Sequence, residues 1–170
     1  VAIIRTTDIP QADLIWDVAR VPEALAYGML TPSAIASYLG GKVERHGLYY
    51  VQAATTLGLA CRNLVNRKWE VTGYGRMFMG YDRAMQKQTL CQLMHEREPL
   101  QSLVEQLRAA EQGLTRDEIA RAIQRLAPLS YATAHRRAQT ITIWLCDLDL
   151  AKKDGQRLVY CDSLEPVADV

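Results

Sequence analysis

Residues 30–40 read LTPSAIASYLG, and residues 114–124 read LTRDEIARAIQ. The likeness continues downstream, where LGLACR at 57–62 returns as LDLAKK at 148–153. The chain uses one plan twice, and each part of it has a physical reading. Thr31 before Pro32 is an N-cap followed by a residue suited to the first helical turn, and Gly40-Gly41 stops that helix. In the second copy Thr115 with Glu118 forms a capping box, and Ile119, Ala120, Ile123 and Leu126 make one apolar stripe behind it.

Each of these helices is expected to lead into a second helix and then a basic hairpin. In LYYVQAATTLGL, Tyr50, Ala53, Ala54 and Leu57 share an inward face, and Gly58 supplies a left-handed terminator. LACRNLVNRKWEVT then reads as two short strands around Val65-Asn66, with Arg67 and Lys68 near the tip. In the second copy Ser130, after the break at Pro128, starts the helix YATAHRRAQTITIWLCDLDL, and KKDGQRLVY closes on a tight turn at Asp154-Gly155. Leu30 and Leu114 are 84 residues apart but Leu57 and Leu148 are 91 apart, so the second copy is longer by seven. Seven residues are about two helical turns, which preserves the helical face.

The remaining segments frame this repeat. VAIIRTT predicts a strand or extended lead-in, Thr7 or Asp8 with Pro10 a helix start, and Pro22 the end of a helix that buries Ala12, Leu14, Ile15, Val18 and Ala19. PEALAYGML predicts a short helix, and residues 73–112 read as a helical connector whose Met85, Leu90, Leu93, Met94, Leu103 and Leu107 belong to a core. The expected fold is mainly α (α+β), with one unit over 1–80, a helical connector over 81–113 and a second unit over 114–170.

A chain of 170 residues, 49% hydrophobic, suffices for a packed core. The net charge of +1 hides an uneven distribution. Residues 30–72 carry five Lys and Arg against two Asp and Glu, and residues 114–160 carry eight against five, so each copy is at +3 and the rest is acidic. Cys61, Cys91, Cys146 and Cys161 lack CxxC spacing and are expected to be reduced thiols in a cytoplasmic protein, with a disulfide or a metal as the weaker readings. Signal, membrane-spanning and lipidation motifs are not found, and Val1 in place of an initiator Met is expected of a fragment.

Catalytic chemistry finds no motif. His46, His95 and His135 have no metal-ligand spacing, GYGRMFMG after Thr72 is expected to lack the glycine spacing, the preceding strand and the following capped helix of a phosphate loop, and no acidic cluster suits a nuclease metal. We therefore expect no metal, no cofactor and no catalytic residue, and no membrane partner.

A helix, a second helix ending on Leu-x-Leu and a basic hairpin form the pattern of a winged helix-turn-helix, whose partner is duplex nucleic acid. On that expectation the outward-facing residues of the second copy's reading helix are Ser130, Thr133, His135, Arg136, Arg137, Gln139 and Thr140. Arg suits guanine edges, Gln suits adenine, and Ser and Thr suit phosphate or the thymine methyl group. The competing reading of this face is a solvated one whose arginines pair with carboxylates. The first copy offers Glu44, Arg45, His46, Tyr49, Gln52 and Thr56, a less basic surface on which Tyr49 is either a contact or part of the core. The hairpin cations Arg62, Arg67 and Lys68, then Lys152, Lys153 and Arg157, suit phosphate contacts independent of sequence.

RHGLYYVQAATTLGL with its hairpin and VTGYGRMFM, and LSYATAHRRAQTITIWLCDLDL with its Ser-x-x-Thr start and Arg-Arg pair, resemble the winged-helix domains of bacterial restriction and phage-defence proteins. Several type II restriction endonucleases are similar in joining a tandem winged-helix recognition part to a separate nuclease. The resemblance spans residues 10–160 and implies binding of specific double-stranded DNA sequences, with cutting done by another domain or subunit. The first copy departs from the pattern in lacking a strongly basic reading helix. A transcription regulator of the same fold and a helical protein-interaction domain are the alternatives.

Overall fold

The computed structural model describes residues 3–161; Val1 and Ala2 of the expected lead-in, and residues 162–170 of the expected second unit, lie outside them. The protein is mainly helical with small antiparallel sheets, in agreement with an α+β class. A 3-10 turn at Thr6–Asp8 precedes α1 (Ile15–Val18), α2 (Val21–Ala26), α3 (Pro32–Tyr38), α4 (Glu44–Thr56), β1 (Ala60–Arg62) and β2 (Trp69–Val71). After the first hairpin come α5 (Gly73–Met79), at the end of the expected first unit, and the connector helices α6 (Arg83–Glu96) and α7 (Leu100–Ala109). The second copy gives β3 (Leu114–Thr115), α8 (Arg116–Leu126), α9 (Tyr131–Asp147), β4 (Ala151–Asp154) and β5 (Arg157–Tyr160).

The caps operate as the sequence predicts. The Thr31 hydroxyl accepts from the Ala34 amide at 3.3 Å, and Thr115 and Glu118 exchange hydrogen bonds in a complete capping box. Gly58 has φ +75°, the left-handed geometry that ends α4 without a Cβ penalty. The seven additional residues are shared out: α8 and α9 are each four residues longer than α3 and α4, while the turn between them is one shorter. At Gly47 a Cβ would meet the Pro32 carbonyl oxygen at 1.9 Å, so α3 and α4 cross at a distance only glycine permits.

In the second copy the strands form an antiparallel sheet of order β3-β5-β4. The residues that begin the repeated phrase, Leu114 and Thr115, thus also pair with Leu158 and Arg157 of β5. The first copy has only the β1-β2 hairpin, registered Ala60 to Val71 and Arg62 to Trp69. Of the helices that follow it, α5 packs against α2, and the connector helix α7 against β5 and α8 of the second copy. Buried residues of both copies and the connector join in one hydrophobic cluster around Ile35, Leu57, Leu90, Ile123 and Trp144.

Several expectations need correction. Residues 9–14 do not form a helix, because Pro10 disfavours the helical conformation of the residue before it and Ile9 is extended (φ −87°, ψ 116°). Pro22 does not end a helix but occupies the first turn of α2, where a missing amide costs nothing. Leu14 and Met85 are 49% and 45% exposed rather than core. GYGRMFMG does follow a strand and does form a capped helix, with the Thr72 hydroxyl accepting from the Gly75 amide at 2.9 Å.

The non-helical segment is a strap between the copies. The Thr56 hydroxyl donates to the Asp8 carbonyl at 3.3 Å, and the Tyr50 hydroxyl accepts from the Leu14 amide at 3.4 Å. From the other side, Arg137 donates to the carbonyls of Thr6 and Ile9, the Trp144 indole to that of Ala12 at 2.7 Å, and the Thr140 hydroxyl to the Asp13 carboxylate at 2.6 Å. Contacts advance along α9 and recede along α4, so the strap runs with one helix and against the other.

Candidate nucleic-acid interface

The second helix of the second copy begins at Ser130, whose hydroxyl accepts from the Thr133 amide at 3.3 Å and lies 2.9 Å from the Thr133 hydroxyl. Its inward stripe is Ala134, Ala138, Ile141, Trp144 and Leu145. Arg136 and Gln139 are exposed, and Thr133 and His135 half-buried.

Two residues expected on the outer face point inward. Arg137 is 7% exposed and Thr140 2%, because the strap covers this side of α9 and accepts hydrogen bonds from both. Arg137 Nε has no partner among the described residues. Burial, with Arg136 beside it, pushes the Arg137 pKa below the usual guanidinium value. The Arg136-Arg137 pair is therefore one surface group and one internal tie.

Between the start of α8, α9 and the β4-β5 hairpin lies an open cleft of about 460 Å³. His135 and Gln139 line it from the helix, Lys153 and Arg157 from the hairpin. Arg116 and Thr142, which the sequence reading missed, line it as well. Thr142 was findable, since it follows Gln139 by three residues and His135 by seven. Arg116 carried no signal beyond its place at the helix start; its guanidinium donates to the His135 carbonyl at 3.1 Å.

The cleft's charges are partly committed. Arg157 donates to the Gly113 carbonyl at 3.1 Å and lies 3.6 Å from the Glu118 carboxylate, so it fastens β5 to the capping box. Asp117 accepts from the Tyr131 hydroxyl and pairs with Arg121 at 2.9 Å. The Tyr131 bond, then the Arg121 charge, hold its carboxyl below the usual range. Lys152 and Lys153 are exposed on β4. The hairpin turn falls at Gly155-Gln156, one residue after its expected position.

The first copy is different in kind. The Arg45 guanidinium lies over the Tyr49 ring at 5.4 Å and donates to its hydroxyl, and His46 stands 6.2 Å from the same ring. Tyr49 is half-buried against the core, and Thr56 is tied to the strap. Gln52 is half-buried, while Arg67 and Lys68 are exposed on the β1-β2 loop. Arg62 is stacked over Trp69 at 4.7 Å.

Among the described residues Cys61, Cys91, Cys146 and Cys161 are free thiols, and no group of three or more His, Cys, Asp or Glu could hold a metal. No helix among them is long and apolar enough to cross a membrane.

These features define a mainly helical α+β protein with a twice-used helix–helix–hairpin plan and a cationic cleft on the second copy. The chain belongs to the family described as a domain of unknown function (DUF7226), whose model matches residues 18–147, from the end of α1 to the end of α9. Neither the curated proteins nor the solved structures contain a significant match to it.

Proposed function

We propose that this protein binds duplex DNA in a sequence-specific manner through two winged helix-turn-helix units, with base reading concentrated in the second. The carrying observation is the order helix, strand, helix, helix, hairpin from α7 to β5, with β5 central in its sheet and the exposed face of α9 beside a basic hairpin. That order supports a winged-helix reading, in which the second helix of the pair enters the major groove. Arg136 and Gln139 are the base-reading side chains, His135 and Thr133 flank them, and Lys152 and Lys153 meet phosphates.

The resemblance of both copies to recognition parts of restriction endonucleases supports a role as a target-recognition module, with cleavage supplied elsewhere. Duplexes selected from a randomised pool should share a consensus. Arg136→Ala and Gln139→Ala should each cost about 1–3 kcal/mol and relax that consensus at one position. Unchanged affinity and consensus in the double variant would sink this interface.

A further inference from the structure

The β1-β2 loop carries an exposed apolar pair that the base-reading helix does not account for. Leu64 is 90% exposed and Val65 95%, the two most exposed apolar side chains among the large hydrophobics of the described residues. Their presentation is built rather than loose. The Asn63 carboxamide oxygen accepts from the amides of Val65 at 2.9 Å and Asn66 at 3.2 Å, and that of Asn66 accepts from the Lys68 amide at 2.9 Å. The Asn63 amide donates to the Lys68 carbonyl at 2.8 Å, and Arg62 to the Arg67 carbonyl at 3.2 Å. Arg67 itself sits at φ +60°. These bonds close the loop beneath Leu64 and Val65 and leave both side chains at its tip.

Charge around the tip selects the occupant. Arg62, Arg67 and Lys68 flank the apolar pair, and the nearby carboxylate of Glu70 accepts from Asn63 at 2.8 Å. Among the described residues no carboxylate forms an ion pair with Arg67 or Lys68. Two apolar side chains make too small a patch for a stable protein interface. A small apolar point between cations and amides instead matches the side chains that part base steps in the minor groove, where flanking cations meet phosphates.

Resting on the duplex-DNA reading above, we propose that the β1-β2 loop is a minor-groove wedge: Leu64 and Val65 enter between base pairs and kink the duplex, while Arg67 and Lys68 hold the adjoining phosphates. The two copies then divide the work, the second reading bases by its helix and the first deforming the DNA by its hairpin. The β4-β5 hairpin, with a two-residue polar turn at Gly155-Gln156, has no such point.

The test uses the full chain with end-labelled duplexes for energy transfer, and with 2-aminopurine to report unstacking. The wild type is expected to bend its selected duplex by roughly 20–90° and to brighten the probe at one step. Leu64→Ala/Val65→Ala, at sites so exposed that melting should not change, is expected to abolish both signals and weaken binding roughly tenfold. Its salt dependence should stay that of the wild type, since no phosphate contact is lost. Equal bending by the double variant overturns the wedge and leaves DNA binding standing. Absence of duplex binding by the wild type overturns the reading beneath it. Loss of binding to phosphatidylserine vesicles in the double variant, with the DNA complex unchanged, overturns the wedge in favour of a membrane surface.

Discussion

The guanidinium of Arg137 donates to the carbonyl of Ile9 across 2.9 Å, joining α9 to a segment 128 residues earlier in the chain. A residue that the sequence places on a DNA-reading face is in fact a tie from the second copy to the strap between the copies. Arg137→Ala leaves the Ile9 and Thr6 carbonyls without this donor, which costs about 1–3 kcal/mol. In a chain of this length that is a fall in melting temperature of roughly 2–12 °C. Arg136→Ala, one residue away and exposed, should melt with the wild type. Calorimetry on the two variants separates the roles.

The approach of α3 to α4 sets a second expectation. Gly47→Ala places a Cβ 1.9 Å from the Pro32 carbonyl oxygen, so the helices must separate. Overpacking of this kind costs about 1–3 kcal/mol or more. Urea unfolding should show a lower midpoint at an unchanged slope. An unaltered midpoint would mean that the crossing is not tight.

Acid should loosen the start of α8. The Thr115 amide donates to Glu118 at 2.7 Å, and this bond holds the Glu118 carboxyl below its usual range, as Tyr131 and Arg121 do for Asp117. A depressed folded-state pKa contributes stability that is present above the unfolded value, near pH 4, and lost as pH falls through the folded value. Asp117→Asn/Glu118→Gln should therefore flatten the loss of melting temperature between pH 6 and about pH 3. An identical pH profile in the variant would count against these contacts.

Local signals were legible in the sequence where the physics is local. Thr115 with Glu118, Thr31 with Pro32 and Gly58 mark helix ends by hydrogen bonding and backbone sterics alone, and the structure has them there. What Arg137 and Thr140 face was not legible. Their helical spacing is that of a surface face, and only a distant segment with Pro10 inside it turns that face inward. The strap's own reading failed for the same reason: Ala12 is buried, as expected, but by packing of an extended segment between helices rather than on one. The spacing of Thr142 places it on the face of His135 and Gln139, but that this face lines a cleft emerges only once the β4-β5 hairpin packs beside α9.

The central claim is most directly tested by fluorescence anisotropy of a labelled duplex titrated with the protein from about 50 to 200 mM salt. Binding by the wild type should weaken steeply and linearly on logarithmic axes. Lys152→Ala/Lys153→Ala should reduce that slope by about two, at roughly 0.9 per lost phosphate contact. Absence of binding at low salt, or binding indifferent to salt and to both lysines, would contradict the account.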